Sequence, residues 1–162
     1  LAGGVTLDMG IYPITFVNFL LDAQPAASKS FCQFSTTGVD ELASYQLQYD
    51  SGCIASINTS FNLLTRMEAI IYGSLGYIEF PHFQQGTTFP LHIHNGTRDI
   101  ESSETITEEN HGNGFIYQVA EVVKQIRAGK LESDIIPLQE TLATMQLMDN
   151  LRGEWGFRYP FE

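Results

Sequence analysis

The sequence predicts an α+β domain: a mostly antiparallel, open sheet with helices packed on one face. A helical segment comes first, a long run of period-two segments follows, and two segments of helical spacing close the chain. At 162 residues, 43% of them apolar, there is material for one such core. The whole chain, 1–162, therefore reads as one domain.

The first helix is expected from about Thr6 to Leu21. Phe16, Phe19 and Leu20 continue a stripe begun by Asp8 and Tyr12, so one face changes from polar to apolar along its length. Pro13 cannot donate to the Met9 carbonyl, which predicts either a kink or a regular helix starting near Ile11. Strands fill the stretch from Ala27 to Ser102. Ala43, Tyr45, Leu47 and Tyr49 alternate with polar residues, and so do Cys53, Ala55, Ile57, Thr59 and Phe61. Asp50-Ser51-Gly52 joins those two runs as a hairpin turn. Gly73-Ser-Leu-Gly76 separates Met67–Tyr72 from Tyr77–Phe80, and Asn95-Gly96 links strands near Thr88–His94 and Thr97–Ser102. The acidic stretch from Asp99 to Glu109 is expected as a solvated loop.

Two helices close the chain. Phe115, Val119, Val122, Val123 and Ile126 keep helical spacing before the stop at Gly129. Leu138, Leu142, Met145, Met148 and Leu151 do so after Pro137. The face opposite the apolar strand positions carries Gln46, Gln48, Ser56, Asn58 and Ser60. It is polar, weakly charged and easily buried against a second copy, so a homodimer through the open sheet face is expected; plain solvent exposure is the competing reading.

A formal net charge of −11 argues against nucleic acid and against an anionic membrane surface. No stretch is apolar for long enough to span a bilayer as a helix. Cys32 and Cys53 are too few for a disulfide framework and are expected as buried free thiols in a cytoplasmic protein. The sequons at Asn58 and Asn95 would matter only in a secreted chain.

The chemistry concentrates at the start. In Gly3-Gly4-Val-Thr-Leu-Asp8-Met-Gly10-Ile-Tyr12-Pro13, Asp8 and Tyr12 are one helical turn apart and share a face. A carboxylate beside a phenol can hold a substrate hydroxyl and exchange its proton. Each has an ordinary alternative: Asp8 as a helix-N-terminal carboxylate, Tyr12 as a packed ring with its hydroxyl in water. Gly3, Gly4 and Gly10 allow close approach of backbone to cofactor or substrate, or else form a flexible linker.

His92 and His94 lie two apart on a strand and face one side, with His82 or His111 as a conceivable third ligand. Solvent-facing histidines are far commoner than zinc sites, and no metal is expected. Gly112-x-Gly114 lacks the preceding apolar strand, third glycine and closing acid of a dinucleotide loop. His111 and Asn113 stand just before a helix, where they serve either as a loop and cap or as substrate contacts.

The opening motif resembles the junction between the two domains in the Gfo/Idh/MocA family of oxidoreductases. Gly73-Ser-Leu-Gly76-Tyr-Ile, Gly114-Phe-x-Tyr-Gln-x-x-Glu121, Ile126-Arg-Ala-Gly129 and Pro137-Leu-x-Glu140 extend the resemblance over nearly the whole chain. The Gly-Ile-Tyr-Pro form is similar to the branch containing dihydrodiol dehydrogenase, xylose dehydrogenase and glucose–fructose oxidoreductase. The resemblance implies the C-terminal substrate-binding and oligomerisation domain of an NAD(P)-dependent dehydrogenase, whose Rossmann domain is absent from these residues. It implies a sugar, cyclitol or trans-dihydrodiol as substrate and hydride transfer as the reaction. NAD or NADP would be bound mainly by that other domain, which would also supply a lysine beside Tyr12. Tyr12 would be the proton-transfer group, Asp8, His111 and Asn113 substrate contacts, and Gly3, Gly4 and Gly10 cofactor contacts. The rival function is a non-enzymatic α+β dimerisation or scaffold module, with Asp8 and Tyr12 incidental.

Overall fold

A computed structural model describes residues 3–97, 99–110 and 112–159. It is α+β, with three α-helices and two antiparallel sheets. The chain divides into two compact units, Leu1–Thr65 with Asp134–Glu162, and Arg66–Ser133.

In the first unit a π-helical turn, Thr6–Gly10, runs into α1, Ile11–Leu21. Without a donor at Pro13 the Met9 carbonyl loses its α-helical partner, and the turn ahead of it is wound wider. The regular helix starts at Ile11, the later of the two expected starts. Strands β1 (Ala27–Phe34), β2 (Asp40–Gln48) and β3 (Ile54–Ser60) form a meander in that order. Helix α3, Leu138–Glu154, completes the unit.

Helices cover one face of this sheet. Val5 and Ile14 from the first segment, Ala43, Tyr45, Leu47, Tyr49 and Ile57 from the strands, and Leu147, Met148 and Leu151 from α3 make the core. Complete burial of a side chain such as Leu47 is worth about 1.5–3 kcal/mol. The expected inward positions of β2 all hold, but at the ends of the next run Cys53 and Phe61 are exposed. They lie outside β3, where the ladder no longer fixes their direction.

The second unit holds β4 (Ala69–Gly73), β5 (Gly76–Phe80), β6 (Thr88–His94), β7 (Ile100–Thr107) and α2 (Phe115–Arg127). The single sheet expected from sequence is thus two, of three and four strands, because residues 61–68 leave the ladder after β3. The acidic stretch is not a loop. Most of it is β7, paired to β6 from Thr88↔Thr107 to His94↔Ile100 and exposed throughout. Glu101 and Glu104 charge this outer strand, a usual way to keep an edge from pairing further.

Three other expectations need correction. Phe115, Val119, Val122 and Ile126 keep their helical spacing in α2 but stay exposed, since periodicity marks an apolar face without supplying its cover. Leu138 and Leu142 of α3 are likewise exposed, and burial begins only in the later turns. Ser60 is buried rather than displayed, because its hydroxyl accepts the Asn62 and Leu63 N–H groups as the chain turns.

The cysteines are free but not both buried. Cys53 is exposed and Cys32 half-buried; burial, aided by the Asp40 charge, pushes the Cys32 thiol up to about 11. No helix among the described residues is long and apolar enough to cross a membrane.

Candidate functional site

Asp8 lies in the π turn and Tyr12 in the first turn of α1. Both are exposed, Tyr12 by 54%, so each is open to a ligand. Neither side chain is engaged in a hydrogen bond or ion pair with another described residue.

Beneath them the turn rests on a buried polar row. Thr6 donates to Asp40 Oδ2 from its backbone N–H (2.8 Å) and from its hydroxyl (2.5 Å). Thr6 Oγ1 has then spent its proton and accepts from the Tyr45 hydroxyl at 2.7 Å. Tyr45 Oη in turn accepts from Thr59 Oγ1 at 3.2 Å. All four residues are buried, Asp40 to 1%. Burial drives the Tyr45 phenol above its ordinary pKa, opposed by its bonds to Thr59 and Thr6, so it stays a neutral donor.

Two of the opening glycines belong to this seat. A Cβ on Gly4 would come within 1.9 Å of Asp40 Oδ1, and one on Gly10 within 3.0 Å of Tyr45 Oη. Gly3 has only Val39 Cγ1 at 3.8 Å, and its N–H and carbonyl both meet the Tyr159 hydroxyl. The close approach visible at Gly4 and Gly10 is therefore to their own sheet; a ligand would meet them only from the backbone's outer side.

Sequence reasoning missed Asp40. Strict alternation in β2 puts it opposite Ala43, Tyr45 and Leu47. The register, however, passes from Gln33↔Leu42 to Phe34↔Asp40, leaving Glu41 as an extra residue that turns Asp40 inward. A bulge of this kind leaves little trace in composition.

A groove of about 420 Å³ runs along another side of α1, lined by Ile11, Thr15, Asn18, Phe19, Ile135 and Ile136, with Asp22, Asp134 and Glu140 as its carboxylates. Tyr49 donates to Asn18 Oδ1 at 2.7 Å, which fixes the Asn18 amide toward Gln24 and leaves it satisfied. Its second wall lies more than a hundred residues from the first, beyond the reach of local pattern.

Asn113 belongs to the second unit. Its Oδ1 accepts the Phe115 N–H at 3.2 Å, an Asx turn just ahead of α2, whose cap position is Gly114 and carries no side-chain bond. His111 lies outside the described residues. His92 stacks on Tyr77 at 4.5 Å, its Nδ1 is 2.8 Å from Ser103 Oγ and its Nε2 3.4 Å from Glu79. Among the described residues no three His, Cys, Asp or Glu side chains gather as metal ligands.

A nicotinamide dinucleotide needs a cradle for its diphosphate. Gly112 and Gly114 form a turn after an exposed edge strand, not the strand-to-helix crossover of such a cradle. That turn does not fit the diphosphate of a dinucleotide.

Residues 1–79 match the GFO/IDH/MocA C-terminal domain. Trans-1,2-dihydrobenzene-1,2-diol dehydrogenase of Mus musculus is 28% identical over 98% of this chain and 48% of its own length. D-xylose 1-dehydrogenase (NADP(+)) of Hypocrea jecorina is 30% identical over 99% of this chain and 46% of its own. KijD10, a 3-ketoreductase from Actinomadura kijaniata solved with TDP-benzene and NADP, shares the fold at a TM-score of 0.74. It is 18% identical, over 94% of this chain and 47% of its own. The chain spans about half the length of the curated relatives it matches. Residues 1–79 thus match the C-terminal domain of the Gfo/Idh/MocA oxidoreductases, and nearly the whole chain is similar in sequence to the C-terminal-sized half of these dehydrogenases and shares the fold of KijD10.

Proposed function

We propose that this chain is the substrate side of an NAD(P)-dependent dehydrogenase acting on a hydroxyl of a sugar, cyclitol or trans-dihydrodiol. The observation that carries the reading is the exposed Asp8–Tyr12 pair, four residues apart where the π turn runs into α1, with no hydrogen-bond or ion-pair partner among the described residues. The names of two similar proteins support it, a trans-1,2-dihydrobenzene-1,2-diol dehydrogenase and a D-xylose 1-dehydrogenase (NADP(+)).

When bound, the nicotinamide exchanges the hydride with the carbinol carbon. In this reading Tyr12 takes or returns the hydroxyl proton, and Asp8 accepts a hydrogen bond from the substrate and orients it. His111 and Asn113 are proposed as further substrate contacts, and the outer backbone of Gly3, Gly4 and Gly10 as the domain's contacts with the cofactor. The dinucleotide itself is held mainly outside this chain, and the protein works in the cytoplasm. The test is reduction of NAD or NADP by the full-length protein with D-xylose or trans-1,2-dihydrobenzene-1,2-diol. Turnover of either supports the reading; no turnover with these or with other sugars and cyclitols overturns it.

Assembly through the outer face of the three-stranded sheet belongs to the same proposal. Gln46 and Ser56 bond to each other there, and Phe31, 82% exposed, stands in the row with Asn58. Ser56→Asp with Asn58→Asp should convert a dimer to monomers, because opposed carboxylates would lose water without gaining partners. Light scattering that shows a monomer before mutation would remove the dimer from the proposal.

A further inference from the structure

We propose that Asp40 is a positioning residue for the Asp8–Tyr12 site, acting through Thr6 and the π turn. This rests on the reading of Tyr12 as the proton-transfer group.

A carboxylate buried to 1% is costly unless its charge is used. Among the described residues Asp40 spends both its bonds, through Oδ2, on the single residue Thr6, while Oδ1 has no hydrogen-bond partner. Thr6 opens the π turn, and Val5, at the local capping position, offers no side-chain bond. Asp40 therefore supplies the cap from a strand 34 residues away, receiving one of the N–H groups that the first turn leaves orphaned. The row Thr59→Tyr45→Thr6→Asp40 has one direction of donation, which ends on this carboxylate.

The same two residues seat both ends of the turn. Gly4 lies against Asp40 and Gly10 against Tyr45, with no room for a Cβ at the first and little at the second. With positions 4, 6 and 10 held inward, Asp8 is left exposed, and Tyr12, also exposed, follows in the first turn of α1. A shift of Thr6 would carry both groups with it, and a displacement near 1 Å at a reacting group costs on the order of a hundredfold in rate.

The experiment uses the full-length protein, with NADP and whichever of D-xylose and trans-1,2-dihydrobenzene-1,2-diol it turns over. Asp40→Ala should lower kcat about ten- to a hundredfold with a smaller change in KM. Asp40→Asn keeps an acceptor for Thr6 and should recover most of that loss. In a Tyr12→Phe background Asp40→Ala should cost little further in kcat, since the proton-transfer group is gone and displacement of Asp8 is read in KM. An equal loss in that background marks a merely structural role and overturns the proposal, as does unchanged kcat in the folded Asp40→Ala variant. Should Asp40→Ala not fold, Thr6→Val removes only the hydroxyl and carries the same cycle, with Thr6→Ser as its rescue. Hydrogen exchange over residues 3–12 gives a readout free of turnover. It should accelerate at least tenfold in Asp40→Ala while strands β1–β3 keep their protection, and unchanged exchange there overturns the proposal. Full activity in Tyr12→Phe alone would instead overturn the reading on which the proposal rests.

Discussion

Replacing Tyr12 by Phe in the full-length protein should lower turnover by about two to four orders of magnitude, the usual worth of a positioned proton-transfer group. The substitution removes only an oxygen. Tyr12 is 54% exposed and its hydroxyl bonds to no described residue, so the loss cannot come from a broken internal contact. Stability should stay within about 0.5 kcal/mol, as for surface changes that touch no special feature. Cofactor affinity should barely move, because the described residues offer no diphosphate cradle. Asp8→Asn should act differently: it keeps the shape and loses the charge, so KM should rise with a smaller fall in kcat. Steady-state kinetics across pH separate these outcomes. A Phe variant that retains most of its activity, with an unchanged pH profile, would leave the family assignment intact and take Tyr12 out of the chemistry.

What the sequence made legible depended on how local each signal was. The alternation of Ala43, Tyr45, Leu47 and Tyr49 located β2 and its buried face, and Asp50-Ser51-Gly52 the turn after it. Pro13 limited the first helix to a kink or a start near Ile11, because a missing donor acts within one turn, and the later start is the one observed. Signals that depend on distant partners were misread. The acids of 99–109 look like loop composition unless β6 is known to lie beside them, and the exposed stripe of α2 looks like a core stripe until its surroundings are known. Of the proposed site, Asp8 and Tyr12 were singled out by spacing and motif. Asp40 was not, because one extra residue at Glu41 reverses the face that simple alternation assigns to it.

Gly4→Ala should be among the most destabilising single substitutions in the first unit, at about 3–5 kcal/mol. Two costs combine. Gly4 has φ +110°, a conformation that an L side chain adopts only under strain. The new Cβ would also fall 1.9 Å from Asp40 Oδ1 and 2.9 Å from its Cγ. Asp40 cannot swing aside cheaply. Its other oxygen holds Thr6 by two bonds, it is buried, and moving it strands a charge away from both water and its donors. Gly3→Ala is the control one residue away: its Cβ meets only Val39 at 3.8 Å, an ordinary contact, and the variant should stay within about 1 kcal/mol of the parent. Combining Gly4→Ala with Asp40→Ser removes the colliding oxygen, so the pair should cost less than the sum of its parts. Urea unfolding of the parent, the Gly3→Ala, Gly4→Ala and Asp40→Ser variants and the double variant, read from the midpoint at constant slope, measures each term. A Gly4→Ala variant as stable as Gly3→Ala would mean that the first turn can lift from Asp40 at little cost, and that its seat on the sheet is looser than the buried row implies.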